Sequence, residues 1–525
     1  MMPGVSQDDS KKTSAGIVYL IGAGPGDPGL FTLRGKELLE GCDVIVYDYL
    51  ANDELLALAR KGAEIIYVGK QGGDHTLAQD EINRLIVSKA REGKRVARLK
   101  GGDPYMFGRG AEEAEELLAA EIPFEVVPGV TSAIAAAAYA GIPLTHRAYA
   151  SSVCFATGHE DPFKVESAHN WRALATSASS LVFFMGMKNL PDIVRNLTAN
   201  GMDPETPAAL VRWGTTSRHR SCVGTLKELP NLAIQYAITA PSLIIIGSVV
   251  ALHDKFNWFE KKPLLGKGVV VTRSREHTSG ISALLRSERA EVLEFPTISV
   301  EPLEDAAPVR EAICRLCEYD WVVFTSANGI AFFWRELDAL GLDARAFAAT
   351  KIAAIGPATA EALAAKGLRA DYIPNSFVAE SALAGLIDLC VKGRKILIPR
   401  AMEGRDILPQ GLVDAGAFCH VLPVYRTVPS AAGQNDVLRN IAEGGVQYIT
   451  FASSSTVRTF FARIPKEAVA AVPGIRFVCI GPITAATLEQ IGFCCHVMPE
   501  RHTVPDMVQA IVQDAAALNT STRQG

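Results

Sequence analysis

Residues 95–110 read RVARLKGGDPYMFGRG and run directly into AEEAEELLAA at 111–120. The opening residues have the character of a short buried strand. Glycines and a proline then break the run, and the alanines, leucines and glutamates that follow are strong helix formers. Strand, glycine-rich turn and helix in succession make half of a βαβ unit, and the pattern recurs. IVYLIG (17–22), DVIVYD (43–48), EIIYVG (64–69) and FEVVPG (124–129) are further short strands, with helical stretches between them. That alternation predicts α/β architecture throughout the chain.

At 525 residues the chain is too long for one hydrophobic core, so two or three domains are expected. Hydrophobic residues at 48 % and charged residues at 21 % are an ordinary globular balance, and a net charge of -5 gives no reason to expect a nucleic-acid or anionic-membrane partner. No apolar run reaches the roughly 18 residues needed to span a bilayer. The polar opening, MMPGVSQDDSKKTSAG, has no apolar signal core. A cytoplasmic protein acting on small molecules is expected. Ten scattered cysteines read as reduced thiols. Cys314 and Cys317 form one CxxC without a second ligand pair, so no metal site is expected. Residues 1–15 and 517–525 read as disordered tails. The segment ALHDKFNWFEKKPLLG at 251–266 breaks the α/β pattern, which puts one domain over 16–255 and another over 267–515.

The second half contains a duplication. GVVVTRSRE (268–276) echoes KILIPRAMEGRD (395–406), WVVFTSANGIAFFW (321–334) echoes YITFASSSTVRTFF (448–461), and KIAAIGPATAEALAAKGL (351–368) echoes RFVCIGPITAATLEQIGF (476–493). The offsets are 127 from Arg273 to Arg400, 127 from Phe324 to Phe451 and 125 from Gly356 to Gly481. Three echoes at nearly constant offset imply two similar α/β lobes. Hydroxyl and glycine loops at their strand ends suggest a ligand between them. Two such lobes also suit a periplasmic-type anion- or sugar-binding protein, against which the absent secretion signal weighs.

In the first half, β-strand residues 17–22 lead into Gly22-Ala-Gly24-Pro-Gly26-Asp27-Pro28-Gly29. A dinucleotide-binding turn, for which Asp48 could mimic the ribose-binding acid, is disfavoured, because Asp27 stands where that fingerprint requires its third glycine. Further loops follow at RLKGGDPYMFGRG (98–110), VPGVTS (127–132) and GIPLTHR (141–147). Together with GAGPGDPGLFTLRG, VYD, VGK and APSLIIIG, all in order, they resemble the tetrapyrrole methylase family, and most closely the uroporphyrinogen-III C-methyltransferases, including the methylase part of sirohaem synthase. The resemblance covers residues 16 to about 260. It implies a two-lobed α/β methylase fold that takes S-adenosylmethionine as methyl donor, commonly as a homodimer through the methylase domain. Motif by motif, it implies that Pro25, Gly101, Gly102, Asp103, Met106, Thr131, Ser132, Met185 and Gly214 line the donor site. Family members often carry isoleucine where Met106 stands and alanine where Ser132 stands, both mild changes for a binding wall.

The same resemblance makes Asp48 the carboxylate that takes a proton or stabilises a cationic pyrrole, and Lys70 a proton donor. From spacing alone Asp48 reads equally as a helix N-cap, Lys70 as a solvated amine and Met185 as a core residue. Arg109 and Arg147, with His146 and Arg212 beside them in the motifs, are candidates to pair the substrate's carboxylates.

Residues 267 to about 515 resemble uroporphyrinogen-III synthase more loosely, through VVVTRSRE, FTSANG, AAIGPATAEAL, FVAESAL, LIPRAMEGRDILPQGL, VLPVYRT, FASSSTV and CIGPITAATL. That family closes hydroxymethylbilane and inverts its last ring, a task of holding a flexible polyanion in one geometry. The resemblance points to Thr325, Ser326, Ala327, Asn328, Gly356, Thr359, Ser453, Ser454, Ser455 and Thr484 as substrate contacts, and to Tyr425 as the acid aiding departure of the hydroxyl. It also implies chain crossing, with 267–300 and 428–515 in one lobe and 301–427 in the other. Neither reaction requires a metal. A synthase joined to the enzyme using its product predicts formation of precorrin-2. The rival is a synthase joined to a methylase acting later in cobalamin synthesis. No dehydrogenase module precedes Gly16, so precorrin-2 is the expected end point.

Overall fold

The computed structural model describes residues 16–69, 77–158, 169–272, 275–296, 298–374, 379–404, 406–430 and 432–524. The chain forms two units. One comprises Met1–Gly268, Leu284–Glu291 and Gln509–Gly525, the other Val269–Ala283 and Val292–Val508.

The first unit begins with β1 (Ile17–Gly22), β2 (Val44–Tyr47), β3 (Glu64–Tyr67), β4 (Arg95–Lys100) and β5 (Phe124–Val127). They form an all-parallel sheet in the order β3-β2-β4-β1-β5. Such sheets bury both faces, so successive residues of a strand enter different cores. Val18 and Leu20 of β1 pack with Val44, Val46, Val96 and Leu117, while Tyr19 and Ile21 pack on the other side with Ile45, Ala97 and Leu99. Each fully buried aliphatic side chain of this kind contributes about 1.5–3 kcal/mol. The first face is closed by helices Gln79–Arg91 and Gly110–Ala119.

A second sheet follows, with β6 (Val153–Thr157), β7 (Ser180–Phe184), β8 (Pro207–Arg212), β9 (Arg220–Thr225) and β10 (Ser242–Gly247) in the order β6-β7-β10-β8-β9. Only β6 and β7 pair parallel; the remaining pairs are antiparallel. The stretch that broke the sequence pattern is tied to the edge strand β9 through Glu260. Its Oε1 accepts from His219 at 2.8 Å and also from Ser221, and its Oε2 accepts from Asn257 at 2.7 Å.

In the second unit's sheets, β11 (Gly268–Val271) and β12 (Glu291–Glu294) come first. The chain leaves them for β13 (Ile298–Pro302), β14 (Trp321–Phe324), β15 (Lys351–Ala354), β16 (Lys395–Ala401) and β17 (Phe418–Pro429), then returns with β18 (Tyr448–Phe451) and β19 (Arg476–Cys479). The sheet orders are β12-β11-β18-β19 and β13-β17-β16-β14-β15. The duplicated motifs take matching places. GVVV, YITF and RFVC stand side by side as β11, β18 and β19, and KILIPRA, WVVF and KIAA as β16, β14 and β15, all in parallel. β13 lies antiparallel to β17.

The C-terminal tail corrects an expectation. Residues 517–524 are not disordered but continue the helix Val504–Gln524. Met507, Val508, Ile511 and Ala515 bury one stripe of that helix, and once those turns are docked each further residue adds its hydrogen bond without a new nucleation cost. Residues 1–15 lie outside the described residues.

Burial pushes the Glu260 carboxyl up, but donation from His219, Ser221 and Asn257 outweighs it and holds the group down at about 2, against an ordinary 4.5. A folded value below the unfolded one gives stabilisation that is complete above about pH 4.5 and is lost as pH falls through about 2. Glu260→Gln is expected to lose on the order of 3 kcal/mol at pH 7. Urea midpoints should show the gap to the parent narrowing at pH 3, and an unchanged gap would count against this assignment.

Candidate active sites

The strands of the parallel sheet all end at one edge, where ligands gather in open α/β sheets. There the loops after β1, β4 and β5 come closer than side chains permit. The backbone of Gly24 exchanges two hydrogen bonds with that of Gly102, at 3.1 and 2.7 Å. A Cβ on Gly129 would stand 2.1 Å from the Gly102 carbonyl oxygen and 2.8 Å from the Gly22 Cα. Asp103 fastens the same loops. Its Oδ1 accepts from the amides of Tyr105 and Met106 at 2.8 and 3.0 Å, and its Oδ2 from the amide of Gly129 at 3.0 Å.

Loops of the second sheet complete the ring. The Asp27 amide donates to Thr215 Oγ1 at 3.1 Å, and Asn52 Nδ2 donates to the Gly26 carbonyl at 2.6 Å. Tyr49 packs edge-on against Trp213, and Phe107 against Phe184, with ring centroids 5.5 and 4.8 Å apart. Five non-glycine residues here, Phe107, Arg109, Met185, Trp213 and Thr215, have φ between 48° and 74°. That conformation costs each of them about 1 kcal/mol or more, and such strain gathers at ligand sites. Tyr105, Met106, Phe107 and Met185 are also left substantially exposed. Apolar walls open to solvent at a strained loop cluster fit a flat organic ligand.

Beneath this ring is a group of buried charges. Arg98 and Lys100 alternate onto the same face of β4 as Val96, and Glu113 comes from helix Gly110–Ala119. Arg98 Nε and Lys100 Nζ both donate to Glu113 Oε1, at 3.2 and 2.6 Å, and Gln79 donates to the same oxygen at 3.1 Å. Arg98 Nη2 donates to Asp48 Oδ2 at 3.0 Å, and Nη1 to the Leu99 carbonyl at 3.0 Å. Glu113 is fully buried. Burial, then the neighbouring Arg98, pull the Lys100 ammonium below its ordinary value.

In the second unit the glycine and hydroxyl loops after β14, β15, β18 and β19 begin helices. Ser326 caps helix Ala327–Ala339, with its hydroxyl 3.3 Å from that of Tyr425. Ser453 caps helix Ser454–Arg463 and lies 2.8 Å from the Ser455 hydroxyl. Thr487 donates to Ser454 at 2.7 Å. Among the described residues no cluster of His, Cys, Asp and Glu could hold a metal ion, and no helix is long and apolar enough to cross a membrane.

The model of the tetrapyrrole (corrin/porphyrin) methylases matches residues 17–230, and that of the uroporphyrinogen-III synthases residues 279–509. A porphyrin biosynthesis protein HemD of Ruminiclostridium josui is 40 % identical over 501 residues, 95 % of this chain and 98 % of that relative. This chain belongs to the tetrapyrrole methylases and the uroporphyrinogen-III synthases, joined end to end. A uroporphyrinogen-III C-methyltransferase of Bacillus subtilis is 43 % identical over 347 residues, 66 % of this chain and 71 % of that protein. A solved uroporphyrin-III C-methyltransferase of Thermus thermophilus, complexed with S-adenyl homocysteine, is 39 % identical, with a TM-score of 0.39 over 45 % of this chain and all of that one.

In the methylase half, Pro25, Gly101, Gly102, Asp103, Met106, Met185 and Gly214 lie on these loops, and Thr131 and Ser132 open helix Ser132–Tyr139 after β5. Asp48 directly follows β2 there. It caps no helix, and its Oδ1 accepts from the Leu50 amide at 3.1 Å. Arg109 is exposed, and Glu112 accepts from its guanidinium in contacts of 2.6 to 3.1 Å. Arg147 is exposed, His146 accepts from the Ala148 amide, and Arg212 donates to the Ala237 carbonyl. Lys70 lies outside the described residues.

In the synthase half, half-buried Thr325 and Ser326 follow β14, and Ala327 and Asn328 open the helix that Ser326 caps. Tyr425, the expected acid, lies within a sheet. It is a β17 residue, buried and stacked on Phe332 at 5.3 Å. Thr359 is buried and donates to the Ile355 carbonyl, and Thr484 is buried in its helix, so neither hydroxyl is turned outward.

The sequence reading missed Arg98, Lys100 and Glu113. Two cations at alternate positions of a doubly buried strand are a signal, since each requires a partner. Glu113 shares the inward stripe of Gly110, Ala114 and Leu117.

Gly129→Ala is expected to destabilise by about 1–3 kcal/mol through its clash with Gly102. Gly280→Ala, which meets no atom within 4 Å in helix Arg275–Ser287, is expected to stabilise by about 0.5–1 kcal/mol. Thermal melts of the two variants check the contrast.

Proposed function

We propose that this chain closes hydroxymethylbilane to uroporphyrinogen III in its synthase half and methylates that product twice, with S-adenosylmethionine, to precorrin-2 in its methylase half. The observation that carries the reading is the pairing itself. The family of one half makes uroporphyrinogen III, and relatives of the other half are methyltransferases named for it.

The residues present fit the methyl donor. A flat adenosyl group suits the exposed wall of Tyr105, Met106, Phe107 and Met185, and tightly packed glycine loops let a ligand approach the backbone. Adenosylmethionine supplies an electrophilic methyl group on a sulfonium. Asp48, the partly exposed carboxylate at this edge, takes the proton released from the reduced pyrrole or offsets its positive charge. Arg147 is in the open to pair a substrate carboxylate. In the synthase half, Ser326, Ser453 and Ser455 offer hydroxyls for the linear tetrapyrrole, and Tyr425, beside Ser326, is the acid candidate. The proposed setting is cytoplasmic, as a homodimer through the methylase half.

Anaerobic incubation with hydroxymethylbilane and adenosylmethionine should give precorrin-2, two methyl groups heavier than uroporphyrinogen III by mass. Asp48→Asn should accumulate unmethylated uroporphyrinogen III, whereas Tyr425→Phe should slow ring closure and leave methylation of supplied uroporphyrinogen III intact. Accumulation of uroporphyrinogen III by the parent chain would replace the methylase reading with one acting on a later tetrapyrrole. Formation of the uninverted isomer alone would remove the synthase reading.

A further inference from the structure

We infer that Glu113 and Arg98 are positioning residues that hold the Asp48 carboxylate in its working orientation, an inference that rests on the methylase reading above. The four charged groups form a chain from the interior to the site. Glu113 is fully buried, Arg98 and Lys100 are nearly so, and the Asp48 side chain alone is appreciably exposed, at 27 %. The solvent-facing end of the chain is thus the carboxylate that directly follows β2, beside the packed glycine loops.

Arg98 has little freedom. Its three nitrogens are divided among Glu113, the Leu99 carbonyl and Asp48, so a planar fork fixed at two points presents the third. A guanidinium does not give up its proton near neutral pH, so Arg98 acts on Asp48 by placement and charge alone. Apart from Arg98, Asp48 has the local Leu50 amide to steady it. Glu113 in turn answers both cations with one oxygen. Its Oε2 has no hydrogen-bond partner among the described residues. A cluster serving stability alone is poorly explained in this form, since well-packed hydrocarbon of similar volume is often at least as stable as buried ion pairs. A fixed carboxylate at a reaction site does explain it.

The test compares Glu113→Gln, Asp48→Asn and the double variant of the full chain. It reads kcat and KM for methylation of supplied uroporphyrinogen III, together with binding of S-adenosylhomocysteine. Glu113→Gln is expected to lower kcat about ten- to hundredfold while KM and homocysteine-product affinity stay within about twofold. The double variant should be no slower than Asp48→Asn alone, because the two act through one group. Arg98→Lys keeps a cation between the carboxylates but cannot bridge them as a fork, so an intermediate loss is expected; it also guards against a Glu113→Gln chain that fails to fold. Full kcat in Glu113→Gln, losses that multiply in the double variant, or affinity falling in step with kcat would each overturn the inference. A parent chain that methylates uroporphyrinogen III beside an equally fast Glu113→Gln overturns this inference alone. A parent chain that transfers no methyl group overturns the proposed function and this inference with it.

Discussion

Two cations enter a sheet face that is otherwise hydrocarbon, and much of the methylase half is arranged around them. Arg98 and Lys100 point where Val96 points, among Val18, Leu20, Val44 and Leu117. A charge left unpaired in such surroundings costs several kcal/mol, so the fold has to bring a counter-charge to them. It does so by placing Glu113 on the inward stripe of helix Gly110–Ala119, and that fixes the helix rotation about its axis. The helix start is fixed too, because Arg109 takes a left-handed φ of 60° just before it. The loop running from Lys100 to Gly110 is thereby held at both ends, and it carries Gly101–Asp103 and Met106 into the site. A charge in the core and the shape of a surface loop are consequences of one constraint.

The second constraint is steric. Gly22, Gly102 and Gly129 lie where three neighbouring strands end, and their backbones occupy the space that β-carbons would need. Asp103 joins two of those loops by its carboxylate instead of reaching for a ligand. The site is therefore built from backbone locked against backbone, with strained residues Met185, Trp213 and Thr215 brought in from the other sheet. A rigid floor of this kind suits a reaction whose geometry must be held between two bound molecules.

Much of this was legible in the sequence, and the limits have physical causes. Strand and helix alternation follows from local periodicity and turn residues, so the α/β class and the strands IVYLIG, DVIVYD, EIIYVG and RVARL could be read directly. The duplication could be read as well, and the structure places its motifs at equivalent sheet positions. Side-chain partners could not be read in the same way, because they depend on which residues from distant segments face each other. Arg109 and Glu112 are neighbours on one turn, and their surface ion pair is a partner that the motif alone does not name. Thr359 and Thr484 lie within turns that invite ligands, but helix rotation buries both. The sheet position of Tyr425 shows only in the pairing of β17 with β13 and β16.

On the proposed function, the two halves meet similar substrate chemistry with different materials. In the methylase half a carboxylate is held by buried guanidinium and carboxylate partners, an expensive arrangement that fixes one group firmly. In the synthase half the corresponding loop positions carry serines and threonines that cap helices, such as Ser326 and Ser453, with free amides close behind them. Capping hydroxyls and amides are neutral, can each give a hydrogen bond to an anion, and do not demand one orientation. A reaction that needs one proton taken at one place favours the first design. One that needs a flexible polyanion gathered into a curl favours the second, because many modest contacts restrain a chain without opposing its closure. On the proposed function, the difference in side-chain chemistry between the halves follows the difference between transferring a group and folding a substrate.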